Sequence, residues 1–227
     1  MAESRWTAAM HSPVPTGFGE VKGAMAASKS KIVATPEEPN RRGDIVRAAG
    51  RLFHEKGYSA TTIRDIANAV GMRSGSPFYH FKTKHDMLRA VVMEGIDAIS
   101  RTVSQALDPK LSPRARFEAM LRAHLRQLLG EEGRDFAATL LHESRHLDPE
   151  AQAEVVSLTD RYEAMWQQAL KDMKRAGLLD DDSPVARLFL MGALNWTVQW
   201  YRPDGSKNID QLARQLAEFV IGKPGHA

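Results

Sequence analysis

The sequence predicts an all-α protein of about nine helices, and three observations support that prediction. Apolar residues recur at helical spacing along most of the chain after residue 40. Ser112-Pro113, Asp148-Pro149 and Ser183-Pro184 each place a capping side chain before a proline in the first helical turn, where the missing N–H costs nothing. No window has the period-two alternation of a β-strand.

Each predicted helix begins at a capping residue or ends near a glycine. Thr62 and Thr83 are capping residues of this kind, whereas Gly57 and Gly71 end apolar runs. The predicted helices, in chain order, are 40–57, 62–71, 73–80, 84–107, 113–129, 134–146, 149–176, 184–201 and 208–221.

The chain divides into an extension and two helical units. Residues 1–38 have no sustained period and contain several prolines, which predicts a disordered extension and leaves open whether translation starts at Met1 or Met25. The three short helices within 39–84 form the first unit. The longer helices of 85–227 form the second.

Composition excludes several classes of protein. The chain has no cysteine, which excludes disulfides and thiolate metal sites and fits a cytoplasmic location. No run approaches the roughly eighteen apolar residues of a membrane span, so no membrane partner is expected. The N-terminus lacks the pattern of a signal peptide. No motif implies a cofactor.

Positive charge is concentrated in one block. Residues 40–90 carry ten Lys/Arg against four Asp/Glu, a net charge of +6, whereas residues 91–227 have a net charge of −3. A basic block beside an acidic one suggests a polyanion-binding module joined to another domain. Chance clustering on a solvated face would give the same count.

The spacing of residues 45–81 fits a helix-turn-helix. The first helix packs its apolar face on the following pair, Gly71 closes the second helix, and the third can enter a major groove of DNA. Pro77 is tolerated because it falls in the first turn of that third helix. Gly75 lets the backbone come close to DNA. Phe53, Ile66, Val70 and Phe81 are expected in the core.

This region resembles the N-terminal domain of the tetracycline-repressor (TetR) family over about fifty residues. Arg73 and Pro77 depart from the family pattern, which usually has serine and leucine there, and Phe78 replaces the usual tyrosine. The matching positions are Ala48-Ala49, Leu52-Phe53, Gly57-Tyr58, Thr61-Thr62, Ile66-Ala67, Gly71, Phe78-Tyr79-His80-Phe81 and Lys84.

The resemblance implies a transcriptional regulator, acting as a repressor and not an enzyme, that binds a double-stranded DNA operator. Thr62, Arg64 and Lys84 would contact phosphates, and residues of the third segment would face the bases or backbone of DNA. The implied DNA-binding residues are Thr62, Arg64, Arg73, Ser74, Gly75, Ser76, Tyr79, His80 and Lys84.

The C-terminal unit is expected to dimerise and to bind a ligand. One short helix-turn-helix makes few contacts, so such proteins dimerise and read two half-sites of a palindrome. In the family the last two helices form the homodimer interface, here 184–201 and 208–221. The candidate residues for a small-molecule effector pocket are Phe117, Met120, His124, Phe136, Leu140, Arg145, Trp166, Leu170, Asn195 and Trp196.

Segments from Glu143 to Glu150 and from Asn195 to Gly205 resemble a branch of the family that regulates fatty-acid and steroid-ring catabolism in response to acyl-CoA thioesters. This resemblance implies an apolar slot for an acyl-CoA effector. Arg145 or Arg161 would meet an anionic group, unless each belongs to a buried ion pair.

Two alternatives remain open. His142-Glu143-Ser144-Arg145-His146 matches H-E-x-x-H, in which two histidines one helical turn apart hold zinc and the glutamate acts as general base of a metalloprotease. Glu163 would be a third ligand. The other alternative is a ligand-independent dimeric regulator, which the absence of an internal cavity would favour.

Overall fold

The computed structural model describes residues 41–221, and the predicted extension at 1–38 lies outside that range. Within it the chain forms eight α-helices, two short 3-10 helices and no strand, which confirms the all-α prediction. The α-helices are α1 Arg41–Lys56, α2 Ile63–Ala69, α3 Lys84–Gln105, α4 Pro113–Leu129, α5 Glu131–Glu143, α6 Pro149–Arg175, α7 Pro184–Trp200 and α8 Ile209–Ile221.

The predicted caps form. Thr62 and Thr83 each accept a hydrogen bond from the backbone N–H three residues later, and each donates its own backbone N–H to the carboxylate of the aspartate at that position. Ser112, Asp148 and Ser183 cap α4, α6 and α7 by accepting the first kind of bond alone, each before a proline. Such caps each contribute about 1 kcal/mol of helix stability.

Two apolar cores hold the helices together. The first joins α1, α2 and the N-terminal half of α3 to the start of α6, with Phe53, Ile66 and Phe81 buried and Val70 partly buried. This core crosses the boundary expected after residue 84. The second core joins the C-terminal end of α3 to α4, α6, α7 and α8 around the fully buried Trp166.

Two helices differ from their predicted bounds. Residues 73–80 contain only a 3-10 helix, Ser76–Tyr79, in which each backbone bond spans three residues. The helix expected at 134–146 is α5, which begins at Glu131 and ends at Glu143. Gly133 lies within this helix. The position requires glycine, because a Cβ there would lie 1.8 Å from the carbonyl oxygen of Gln127.

None of the helices in residues 41–221 is both long enough and apolar enough to cross a membrane.

Candidate DNA-binding surface and effector cavity

The loop between α2 and α3 carries most of the predicted DNA contacts at the surface. Arg64, Arg73, Ser74, Gly75 and His80 are exposed and Ser76 is half-buried. The ring of Tyr79 is 91% exposed, while the neighbouring Pro77 is buried. Burial of Pro77 holds the short 3-10 helix against the head, so the polar residues around it face solvent.

Thr62 and Lys84 have structural roles as well. The Thr62 hydroxyl bonds Asp65 in the α2 cap. The Lys84 ammonium donates to the carbonyl oxygens of Tyr58 (2.7 Å) and Thr61 (2.8 Å) and lies 4.3 Å from the centre of the Tyr58 ring. Lys84 therefore ties the start of α3 to the loop after α1, and its expected phosphate contact stays a prediction.

A cavity of about 130 Å³ lies between α3, α4, α5, α6 and α7. Most of its wall is aliphatic or aromatic, and every one of these five helices contributes to it. The helices that enclose it thus belong to both cores. Its wall includes Val92, Gly95, Ile96, Ile99, His124, Phe136, Leu140, Tyr162, Glu163, Met191 and Asn195.

Four of the predicted pocket residues line this cavity: His124, Phe136, Leu140 and Asn195. The others do not. Three of them, Phe117, Met120 and Trp166, are fully buried in the second core, together with Leu170, because their helical spacing serves packing.

The predicted Arg145 and Trp196 lie outside the cavity too. Arg145 is exposed in the 3-10 helix Ser144–His146, and Trp196 is half-exposed on the outer side of α7. Arg161 is also exposed and belongs to no ion pair among residues 41–221. Neither arginine lines the cavity, so a contact of either with an anionic group of the effector stays a prediction.

Sequence reasoning missed the contribution of α3 to the wall, and on α6 it named Trp166 and Leu170 in place of the residues that line the cavity. Val92, Ile96 and Ile99 follow one another at helical spacing along α3, and Tyr162 and Glu163 come from α6. The apolar stripe of α3 was visible, but it continues the stripe that packs the head. Only the position at which α5 crosses α3 shows where the apolar stripe of α3 stops packing on the head and begins to line the cavity.

The polar side of the cavity is uncharged at its centre. The Nδ1 atom of His124 lies 2.6 Å from the Tyr162 hydroxyl oxygen. Burial lowers the pKa of His124 to about 3, which the Asn195 amide opposes only in part, so the imidazole is neutral at physiological pH. Burial also raises the pKa of the Tyr162 hydroxyl, an effect that Trp166 opposes in part.

One residue of the cavity wall, Glu163, forms an ion pair. Arg187 of α7 donates to the Glu163 carboxylate at 2.9 Å, and both side chains are largely buried. Burial raises the pKa of Glu163, while the Arg187 guanidinium lowers it. The Arg187 guanidinium is thus already paired, so it offers no free positive charge to an anionic ligand.

The α5 helix connects the cavity to the head. Phe136 lines the cavity and contacts Gly50 of α1, where a Cβ would lie 3.6 Å from its ring, and Gly95 of α3. The Thr139 hydroxyl donates to the Gly50 carbonyl at 3.3 Å. A displacement of α5 by a ligand would therefore act directly on α1.

Comparison with known proteins identifies the family to which this architecture belongs. Residues 45–91 match the family model described as bacterial regulatory proteins of the tetR family, and residues 110–223 match a tetracyclin repressor-like C-terminal domain. The second match alone spans half of the chain. The chain belongs to the TetR family. It is a DNA-binding transcriptional repressor and not an enzyme, as its curated relatives are named.

The relatives of this TetR-family chain include KstR2. The repressor KstR2 of Mycolicibacterium smegmatis is 28% identical over 83% of this chain and 93% of its own length. The solved KstR2 of Mycobacterium tuberculosis, a ketosteroid regulator, is 24% identical with a TM-score of 0.69, covering 82% of this chain and 95% of its own. These matches confirm the predicted resemblance to the catabolic branch.

Two further solved structures share the fold. The superantigen PfiT is 38% identical over 83% of this chain and all of its own, with a TM-score of 0.69. AibR, solved with isovaleryl coenzyme A and operator DNA, is 24% identical over 80% of this chain and 98% of its own, with a TM-score of 0.70.

The H-E-x-x-H segment of this TetR-family chain is not a continuous helix. α5 ends at Glu143, so His142 and His146 do not lie one turn apart on one helix. His146 stacks on Tyr58 at 5.0 Å between ring centres, and Glu163 pairs with Arg187 instead. No group of metal-ligating side chains occurs within residues 41–221.

An apolar face without a partner among the described residues runs along α7 and α8 of the TetR-family chain. Phe189 is 77% exposed and Phe219 is 86% exposed, and nothing lies within 4 Å of a Cβ built on Gly192. The other large exposed residues of α7 are Val185, Trp196 and Trp200. The face coincides with the helices expected to dimerise.

Proposed function

We propose that the protein is a cytoplasmic, ligand-responsive repressor that binds a palindromic operator as a homodimer and leaves DNA when a small apolar effector binds. The effector we propose is an acyl-CoA thioester. The observation that carries the proposal is Phe136, which forms part of the cavity wall and also packs against Gly50 of the head. The cavity itself weighs against a ligand-independent regulator.

Dimerisation through α7 and α8 follows from their exposed apolar face. Large aromatic side chains at the centre of a buried interface supply most of its binding free energy. Phe189, Trp196 and Phe219 are such side chains, and Gly192 permits a close approach of two helices. Two copies would then present two heads to two half-sites.

The size of the cavity favours a short or branched acyl group. An apolar cavity of about 150 Å³ is known to hold benzene, so about 130 Å³ accommodates a group of similar size. A steroid nucleus exceeds that volume. AibR binds isovaleryl coenzyme A, and an isovaleryl group would fit here with the coenzyme outside.

Release would be transmitted by α3 and α5. Both helices line the cavity and both pack on α1, and the Thr139–Gly50 bond links α5 to α1 a second time. An effector that binds the DNA-incompetent arrangement a few kcal/mol more tightly than the other is enough to shift the population.

Fluorescence anisotropy tests the proposal. Full-length protein is bound to an operator selected from random duplex DNA, and acyl-CoA thioesters from acetyl to decanoyl, including isovaleryl, are added. We expect release by at least one short or branched member. Ala137→Phe fills the cavity and should retain DNA binding without release, whereas His142→Phe on the exposed side of α5 should respond normally. If no thioester changes the binding of operator DNA, the proposed effector class is wrong.

A further inference from the structure

His124 is a buried polar group whose second nitrogen has no hydrogen-bond partner. The residue is 0% exposed, lines the cavity, and uses Nδ1 for its contact with Tyr162. Within residues 41–221 no atom makes a hydrogen bond of normal geometry to Nε2, although the Asn195 amide adjoins the ring and favours its protonated form. A buried polar group left unsatisfied costs about 1–3 kcal/mol, so this nitrogen requires a reason.

The partner of Nδ1 identifies where the proton of the neutral imidazole lies. A buried tyrosine hydroxyl needs an acceptor for its proton, and Nδ1 of His124 is the acceptor within reach of Tyr162. The other polar neighbour of that hydroxyl is the Trp166 indole, which can only donate. Tyr162 therefore donates to Nδ1, and the imidazole proton is on Nε2.

The protonated Nε2 is a buried neutral donor, and it belongs to a residue that lines this largely apolar cavity. Asn195 of α7 adjoins the same imidazole and also lines the cavity. The Glu163 carboxylate in the wall is neutralised by Arg187, so the described wall offers no free positive charge to an anion. This combination suits a neutral oxygen acceptor attached to a small apolar group.

We propose that His124 Nε2 donates a hydrogen bond to the carbonyl oxygen of the effector, so that the site selects a neutral carbonyl, as in a thioester or ketone, over the corresponding carboxylate. Tyr162 is a positioning residue that fixes the tautomer. The inference rests on the proposed function, since it assigns the chemistry of that same cavity.

Three probes of matched size separate the contribution of the carbonyl oxygen from those of apolar shape and of negative charge. 4-Methyl-2-pentanone carries the neutral carbonyl, 2,4-dimethyl-1-pentene replaces its oxygen by a methylene group, and 3-methylbutanoate replaces a methyl by a charged oxygen. Binding to the full-length protein is followed by NMR of labelled Met and Ile methyl groups, because Met191, Ile96 and Ile99 line the cavity.

The test variant is the double substitution His124→Leu with Tyr162→Phe, which removes both partners of the His124–Tyr162 hydrogen bond together. We expect the Kd of the ketone to rise about tenfold in this variant, while that of the alkene is unchanged or falls. His142→Leu, exposed on α5, is the matched control and should bind both as the wild type does. The carboxylate should bind the wild type at least about tenfold more weakly than the ketone.

A second measurement addresses the tautomer directly. Nitrogen-15 NMR at pH 7 should show His124 protonated on Nε2, and Tyr162→Phe should remove that restriction. Protonation on Nδ1, an equal change for ketone and alkene, or no shift of the cavity methyl groups would overturn the inference. Release of DNA by an acyl-CoA in the same preparations would show that the proposed function nevertheless stands.

Discussion

Phe136 packs so closely on Gly95 that a Cβ added to the glycine would lie 2.8 Å from the Cβ of Phe136. No pair of real Cβ atoms approaches to that distance, so α3 and α5 cross here only because residue 95 has no side chain. Both residues line the cavity. The contact therefore sets the spacing of the two helices that we propose transmit the effector signal.

Gly95→Ala should force α3 and α5 apart and lower the free energy of unfolding by about 1–3 kcal/mol. Urea denaturation followed by circular dichroism measures this change. Gly50→Ala is a graded comparison, since its Cβ would meet Val91 at 3.4 Å and Phe136 at 3.6 Å. Its destabilisation should be clearly smaller, and equal losses for the two variants would contradict the close crossing.

Lys84 and Lys82 should separate stability from DNA binding. Lys84→Met removes the donors to the Tyr58 and Thr61 carbonyls and should cost about 1–3 kcal/mol of stability. Lys82 is exposed, so Lys82→Met should leave stability unchanged. If Lys82 meets a phosphate, this variant should weaken DNA binding and reduce its salt dependence. Thermal denaturation and fluorescence anisotropy of both variants test these expectations. Equal melting temperatures for Lys84→Met and Lys82→Met would refute the structural role of Lys84.

Gly75 is a test of close DNA approach. Its φ of −86° suits any residue and nothing lies within 4 Å of a built Cβ, so Gly75→Ala should fold normally. If Gly75 lies at the DNA surface as proposed, binding should nonetheless weaken, because the added methyl would stand between the backbone and DNA. Gly71 has a φ of 66°, so Gly71→Ala should instead cost about 1 kcal/mol of stability. Unchanged operator affinity for Gly75→Ala would remove it from the DNA surface.

The same question applies to Arg73 and Tyr79. Arg73 is exposed before the 3-10 helix and Tyr79 is exposed within it, so Arg73→Ala and Tyr79→Ala should weaken operator binding without unfolding the protein. A gel shift with unchanged affinity would exclude the residue concerned.

The exposed face of α7 should control oligomeric state. Phe189→Glu places a charge at the centre of the apolar face and should yield monomers in sedimentation velocity, with weaker operator binding as a consequence. Lys171→Glu, exposed on α6, is the charge control and should sediment as the wild type does. A Phe189→Glu protein with unchanged sedimentation would place the interface elsewhere.

His124 should make stability depend on pH. Its pKa is about 3 in the folded protein and near 6.5 when unfolded, so the unfolded chain binds the additional proton between these values. Stability is then fully present above pH 6.5 and falls by about 1.4 kcal/mol per unit as pH decreases toward 3. Glu163, whose pKa is raised, acts in the opposite direction.

The His124→Leu/Tyr162→Phe protein isolates the contribution of the imidazole, because Glu163 is present in both proteins. The unfolding free energy of the wild type should fall relative to that of the double variant as the pH decreases from 7 to 4. A difference that does not vary between pH 4 and pH 7 would show that His124 is not buried in its neutral form.

The sequence predicted most of the fold because its signals are local. Thr62, Thr83 and the three Ser/Asp-Pro pairs report helix starts through side chains that bond within three residues. Residues 73–80 were assigned a helix because Pro77 is compatible with a first turn. The structure forms only a four-residue 3-10 helix there, with the proline in its first turn.

The cavity could be predicted only in part. His124 and Asn195 were identified among polar residues on apolar faces, but Trp166 and Phe117 have the same spacing and are packed in the core. Helical periodicity gives the inward face of each helix and not its neighbour. Trp196 was misplaced for the same reason, because an apolar face at a subunit surface has the same pattern as an apolar face inside.

Reciprocal linkage tests the central claim, that cavity and operator are coupled sites. The affinity of an effector such as isovaleryl-CoA would be measured by titration calorimetry with the free protein and with the protein saturated by operator DNA. We predict that DNA weakens effector binding by the same factor by which the effector weakens DNA binding, as thermodynamic coupling requires. Equal effector affinity in the presence and absence of operator would contradict the account.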